Sequence, residues 1–87
     1  MSCFVYIIKC KDRFLYTGIT GNLRKRIKEH NEGLGSPVTK TRRPVSLVYR
    51  EDFPTRMGAA RREKEIKGWR REKKEHLIME VYPERTR

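Results

Sequence analysis

The stretch Cys3-Phe4-Val5-Tyr6-Ile7-Ile8-Lys9-Cys10 carries β-branched and aromatic residues on both parities. A strand with one wet face alternates apolar and polar residues; this one does not, so it reads as a strand covered on both faces. That demand falls on a chain of only 87 residues. Such a chain buries about 60–65% of its extended surface on folding, enough for one domain and one hydrophobic core. Charged residues make up 38% and hydrophobic ones 36%, yet the apolar residues come in blocks separated by charge, as a small folded domain requires.

Lys11-Asp12-Arg13 breaks the β pattern and Phe14-Leu15-Tyr16-Thr17-Gly18-Ile19 resumes it, which predicts a hairpin. The period changes at Thr20-Gly21-Asn22. Asn22 suits an N-cap, Leu23 to Glu32 has helical composition, and Gly33 is placed to stop the helix. Residues 33–44 read as a basic loop rich in Gly, Pro and hydroxyls, and residues 45–50 as a third strand. Thr55, after Pro54, starts a second helix that runs to about Lys67 and ends at Gly68; residues 70–81 form a last helix packing Leu77, Ile78 and Val81. The domain is expected to span 1–82, with 83–87 a frayed basic tail. The order ββαβαα describes a small three-stranded antiparallel sheet flanked by helices, in the α+β class.

Twenty-two Lys and Arg stand against 11 Asp and Glu, a net charge of +11. Solubility alone asks for a net charge of only about 2–8 in a small domain, so a polyanionic partner, nucleic acid first, is implied. No apolar run approaches the ~18–20 residues that cross a bilayer, which predicts no membrane contact, and Lys9 and Lys11 interrupt the N-terminal stretch where a secretory signal would need to be apolar. On one strand Cys3 and Cys10 would lie roughly 23 Å apart, too far for a disulfide. They read as reduced thiols of a cytoplasmic protein, and without a C-x-x-C pair a zinc site with His30 and His76 is discounted.

At about 100° per residue, the first helix aligns Leu23, Ile27 and Leu34 on a narrow stripe. His30 falls in the middle of that stripe and Arg26 at its edge, while Lys25 and Lys28 point the opposite way. In the second helix Ala59, Ala60 and Ile66 define an inner face, and Glu63 lies among them; Glu65 points away. An inward carboxylate needs a cation, a metal or a proton. Taken singly, a structural ion pair for Glu63 and a satisfied core imidazole for His30 are the commoner outcomes. Tyr6 and Tyr16 share parity, so an odd-length hairpin loop puts both phenols on one face.

In this order, Phe4-Val5-Tyr6, Tyr16-Thr17-Gly18, the segment Asn22 to Asn31 with Arg26 four residues before His30, and Ala60 to Lys67 with Glu63 ahead of Ile66-Lys67 resemble the motifs of the GIY-YIG nuclease superfamily. The small stand-alone bacterial members are the most similar subgroup. The resemblance runs from residue 3 to about 75, nearly the whole chain. Phe4 stands where the family has its first glycine. The Asn that many members carry about a dozen residues after the glutamate is absent, with Glu75 in that neighbourhood.

The resemblance implies a GIY-YIG fold and an endonuclease that hydrolyses phosphodiesters, with DNA favoured over RNA, structure-specific action and a role in repair or recombination. It implies one divalent ion, Mg²⁺ or Mn²⁺, held by Glu63, and a catalytic set of Tyr6, Tyr16, Arg26, His30 and Glu63. The chemistry is consistent: a fixed guanidinium at Arg26 and a metal offset the charge that develops on phosphate oxygens. Mg²⁺ accepts few protein carboxylates. Tyr6 or Tyr16 serves as base only if nearby positive charge lowers its pKa. Substrate binding falls to Lys40, Arg42 and Arg43 in the loop and to Arg61, Arg62, Lys67, Arg70, Arg71, Lys73 and Lys74 on the last two helices. With no separate recognition domain, nucleic-acid shape or a targeting protein partner selects the site, and a monomer is favoured over an oligomer. The competing reading is a non-catalytic nucleic-acid-binding module on the same fold.

Overall fold

The structure, a computed structural model, describes residues 2–83; the frayed tail expected over 83–87 lies, from residue 84 on, outside the described residues. Strand β1 (Cys3–Cys10) is the middle of a three-stranded antiparallel sheet, with β2 (Leu15–Thr20) on one side and β3 (Val45–Phe53) on the other. Its central place accounts for its composition, because alternate side chains enter two different interiors. Val5 and Ile7 join Cys3, Leu15, Val48 and Tyr49 beneath helices α3 (Arg56–Lys67) and α4 (Arg71–Val81). Tyr6, Ile8 and Cys10 join Val45 beneath helix α1 (Leu23–Asn31), whose Leu23 and Ile27 pack against them. The single core expected from chain length is thus two clusters divided by the strand.

The hairpin closes through the Cys10 N–H donating to the Phe14 carbonyl (2.9 Å) and the Arg13 N–H to the Cys10 carbonyl (2.8 Å), with Arg13 left-handed at φ 73°. Asp12 Oδ1 accepts from the Phe14 N–H at 3.1 Å and fixes the turn. The resulting register sets Tyr6 opposite Gly18 and Ile8 opposite Tyr16, so the two phenols share a face as the parity predicts. Gly18 is required here: a β-carbon would stand 2.5 Å from Tyr6 Oη. The phenol lies across β2 in the space where a side chain would be.

Four sequence expectations need correction. The third strand continues past Arg50 to Phe53, and a bulge in its pairing with Ile7 and Ile8 lets consecutive residues Val48 and Tyr49 both bury on the α3 side. The loop at 33–44 contains a short helix, α2 (Pro37–Lys40), capped by Ser36, whose Oγ accepts from the Val38 N–H at 3.1 Å. Leu34 does not join the stripe of α1, because the helix stops at Asn31 and the phase is lost; Leu34 is 73% exposed. Val81, the last residue of α4, is also exposed, while Leu77 and Ile78 pack as expected.

Candidate active site

Two capping interactions aim α1 at the sheet. Asn22 Oδ1 accepts from the Lys25 N–H at 3.1 Å at its start. At its end, the Asn31 side chain accepts from the Val45 N–H (2.7 Å) and donates to the Val45 carbonyl (3.2 Å), a clamp onto β3. His30 is thereby held fully buried against the face of β1 that carries Tyr6.

There His30 Nε2 lies 2.9 Å from Tyr6 Oη and Nδ1 lies 2.8 Å from Thr39 Oγ1 of α2. The imidazole stands edge-on to both phenols, with ring centroids 5.9 Å from Tyr6 and 5.3 Å from Tyr16. Arg26 is pinned at three points: Nε donates to Tyr6 Oη (3.4 Å), Nη2 to the Gly35 carbonyl (2.7 Å) and Nη1 to Glu29 (3.4 Å). The Gly35 backbone rests on the imidazole, and any β-carbon there would collide with the ring. Thr39 Oγ1 also donates to the Ser36 carbonyl at 3.3 Å. One proton assignment satisfies all of these contacts together: Arg26 donates to Tyr6, Tyr6 to Nε2, Nδ1–H to Thr39, and Thr39 to Ser36. The reverse order leaves the buried Tyr6 proton without an acceptor.

Electrostatics agree with a neutral chain. Burial, then the Arg26 charge, holds His30 below the ordinary imidazole value, against a smaller pull from Glu29. Burial also pushes the Tyr6 phenol above the ordinary range, outweighing Arg26, while Tyr16 and Glu63 push the same way. Among the protein's own groups, loss of water outweighs the neighbouring Arg26 charge at Tyr6. Tyr16 is only half-buried, with Lys67 Nζ 5.8 Å from its ring centroid.

Glu63 projects from α3 near enough for its charge to act on Tyr6. Its Oε2 lies 3.2 Å from Lys67 Nζ one turn along, and the side chain is 21% exposed. The inward carboxylate has found an ion pair, yet it is not sealed in. Among the described residues no three His, Cys, Asp or Glu side chains gather to cage a metal. A hard hydrated cation needs no such cage, and one partly exposed carboxylate fits it once Lys67 yields an oxygen.

The ten cations assigned to substrate divide in two, with Lys67, already paired to Glu63, in the first group. Arg42 pairs with Asp12 (3.1 Å) and lies over Phe14, Arg43 donates to the Lys40 and Asn31 carbonyls, and Arg62 is shared between Glu51 and Glu65 beside Trp69. Arg71 holds Glu75 at 3.4 Å, so the residue standing in place of the family Asn is itself occupied. Lys40, Arg61, Arg70, Lys73 and Lys74 hold no carboxylate among the described residues, and Lys73 sits over Trp69 at 4.3 Å. Burial and then the charges of Lys67 and Arg71 push Lys74 below the ordinary lysine value, so Lys74 feels the charge of Lys67, the partner of Glu63.

The family model of the GIY-YIG catalytic domain matches residues 2–76. The chain belongs to the GIY-YIG family. Its relatives include the UPF0213 protein SH2523 of Staphylococcus haemolyticus, 54% identical over 77 residues that cover 88% of this chain and 94% of that one. The UPF0213 protein SSP2268 of Staphylococcus saprophyticus is 53% identical over the same shares. The solution structure of the UPF0213 protein BH0048 from Bacillus halodurans superposes with a TM-score of 0.65 at 40% identity, covering 99% of this chain and 93% of that one. The solution structure of EF2693 from E. faecalis gives the same score at 33% identity, over 94% and 88%. GIY-YIG membership assigns the chain to a nuclease family whose members generally depend on divalent metal.

The motifs of the GIY-YIG family account for Tyr6, Tyr16, Arg26, His30 and Glu63 but not for what supports them. The sequence assigns no site role to Thr39 and Gly35, which read as loop residues, or to Glu29 and Asn31, which read only as part of the first helix. Ser36-Pro37, a cap followed by proline at the first helical position, was the signal that α2 begins there and carries Thr39 inward.

Proposed function

We propose that this GIY-YIG protein is a Mg²⁺- or Mn²⁺-dependent endonuclease acting on DNA in preference to RNA. It works in the cytoplasm as a monomer, in repair or recombination, with nucleic-acid shape or a targeting partner choosing the site. The observation that carries this reading is a reachable carboxylate, Glu63, whose charge acts on Tyr6, together with a guanidinium pinned at three points against the same buried phenol–imidazole chain. Glu63 holds the metal, which when bound supplies Lewis-acid stabilisation and a more acidic water. Arg26 meets negative charge building on the phosphate oxygens, and its fixed position means no reorganisation at the moment of reaction. Tyr6 keeps its own proton at neutral pH, so it acts as a relay: it receives a proton from the attacking water while passing its own to His30 Nε2. Thr39 holds His30 in the tautomer that accepts it. Half-buried Tyr16 borders the open side and positions the water or phosphate.

One observation favours the non-catalytic binding module instead: Lys67 already neutralises Glu63. Cleavage of branched and single-stranded DNA with Mg²⁺ or Mn²⁺ separates the two. Glu63→Gln is expected to lower cleavage by about 10²–10³-fold, the scale of losing one main transition-state electrostatic group, with binding unchanged. If no divalent ion supports cleavage on a broad substrate panel, the binding module is correct.

A further inference from the structure

A groove of about 540 Å³ opens beside Arg26, between the end of β2, the start of α1 and the first residue of α3. Lys25, Arg26 and Arg56 line it, and Glu29, its one carboxylate, is paired with Arg26. Elsewhere Arg42, Arg50, Arg62 and Arg71 each hold a carboxylate. Lys25 and Arg56 hold none among the described residues, although both are exposed in a basic concavity that begins at the active-site guanidinium. Neither was among the cations that the sequence assigns to substrate. The floor is also bare at Gly21, where a β-carbon would meet nothing within 4 Å.

We propose that this groove binds the phosphodiester next to the one at Arg26, so that the substrate strand leaves the active site between Lys25 and Arg56. The identity of the neighbouring phosphate rests on the nuclease reading above. Two unpaired cations flanking a guanidinium suit a chain of evenly spaced negative charges, and the open floor lets that backbone approach closely. An acidic peptide is the alternative occupant that the test must exclude.

The test is binding of a fluorescent DNA duplex with a single-stranded flap, titrated without divalent ion over a range of salt. Lys25→Ala and Arg56→Ala are each expected to weaken binding about fivefold and to lower the slope of log K against log salt by about 1. Lys28→Ala removes the same charge from a position one turn along α1 that does not line the groove, and is expected to leave both unchanged. Gly21→Glu puts a carboxylate into the groove without displacing a packed atom; it should fold as the parent by circular dichroism and bind more weakly than either alanine variant. The proposal is overturned if Lys25→Ala and Arg56→Ala lose no more affinity than Lys28→Ala. It is overturned as well if polyglutamate displaces the DNA at equal charge concentration. A passed binding test beside a Glu63→Gln protein that cuts like the parent would remove the nuclease roles and keep the groove; the opposite pattern removes the groove alone.

Discussion

The two faces of β1 are built from one run of residues and do opposite work. Toward α3 and α4, Val5 and Ile7 meet Val48, Ala59, Ile66 and Ile78, an interior of aliphatic contacts. Even its tyrosine is locked away: burial and the Glu51 carboxylate that accepts its proton push the Tyr49 phenol up to about 12. Toward α1, the same strand contributes Tyr6 to a buried chain of hydroxyl, imidazole and hydroxyl. Burying such groups costs free energy unless each is paired, so this side is stable only while every link holds. The lesson is a division of labour across one strand, with cohesion on one face and proton-carrying groups on the other.

The largest test strikes the aliphatic side. Ile66 is fully buried, and Ile66→Ala is expected to cost about 2–5 kcal/mol in urea unfolding, through lost transfer energy and a cavity. Thr39→Val keeps the shape of the side chain and removes the hydroxyl that holds His30 Nδ1. It should cost about 1–3 kcal/mol and lower cleavage as the imidazole loses its orientation. A cost as small as that of a surface change would erase the distinction between the faces.

The polar face also carries a pH signature. His30 sits below its ordinary 6.5, so the unfolded chain takes up a proton that the folded one refuses. Its contribution to stability is complete above about 6.5 and is lost as pH falls toward the folded value, with a slope of at most about 1.4 kcal/mol per pH unit. Tyr6 bounds the other side: raised above 10, it contributes fully below that value and less as pH rises beyond it. Chemical denaturation across pH reads both. The smallest effect belongs to Leu34, where Leu34→Ser should stay within about 0.5 kcal/mol because the side chain lies outside both clusters.

Much of this was legible from residue order. The doubly apolar run marked a strand covered on both faces, shared parity put Tyr6 and Tyr16 on one face, and Asn22 and Thr55 marked helix starts that the structure keeps. Periodicity found His30 and Arg26 because both lie within α1, where the phase holds; it failed at Leu34, beyond the helix end. Thr39 was hidden for a different reason: a one-turn helix is too short to show a period, and its hydroxyl reads like any loop polar residue until the fold buries it. Ion pairing was equally illegible. Which arginines are spent on carboxylates depends on contacts such as Arg42 with Asp12 and Arg62 with Glu51, which join distant segments.

Gly18 and Tyr6 have a consequence for how such chains diverge. The hydroxyl of one sits where the other would carry a methyl, so the two named motifs of the family are a single steric unit, a seat and its occupant. A lineage that replaces the glycine must evict the phenol, and one that has lost the phenol is released from the glycine. Relatives that have shed both together are the ones to suspect of having kept the scaffold and abandoned the trade.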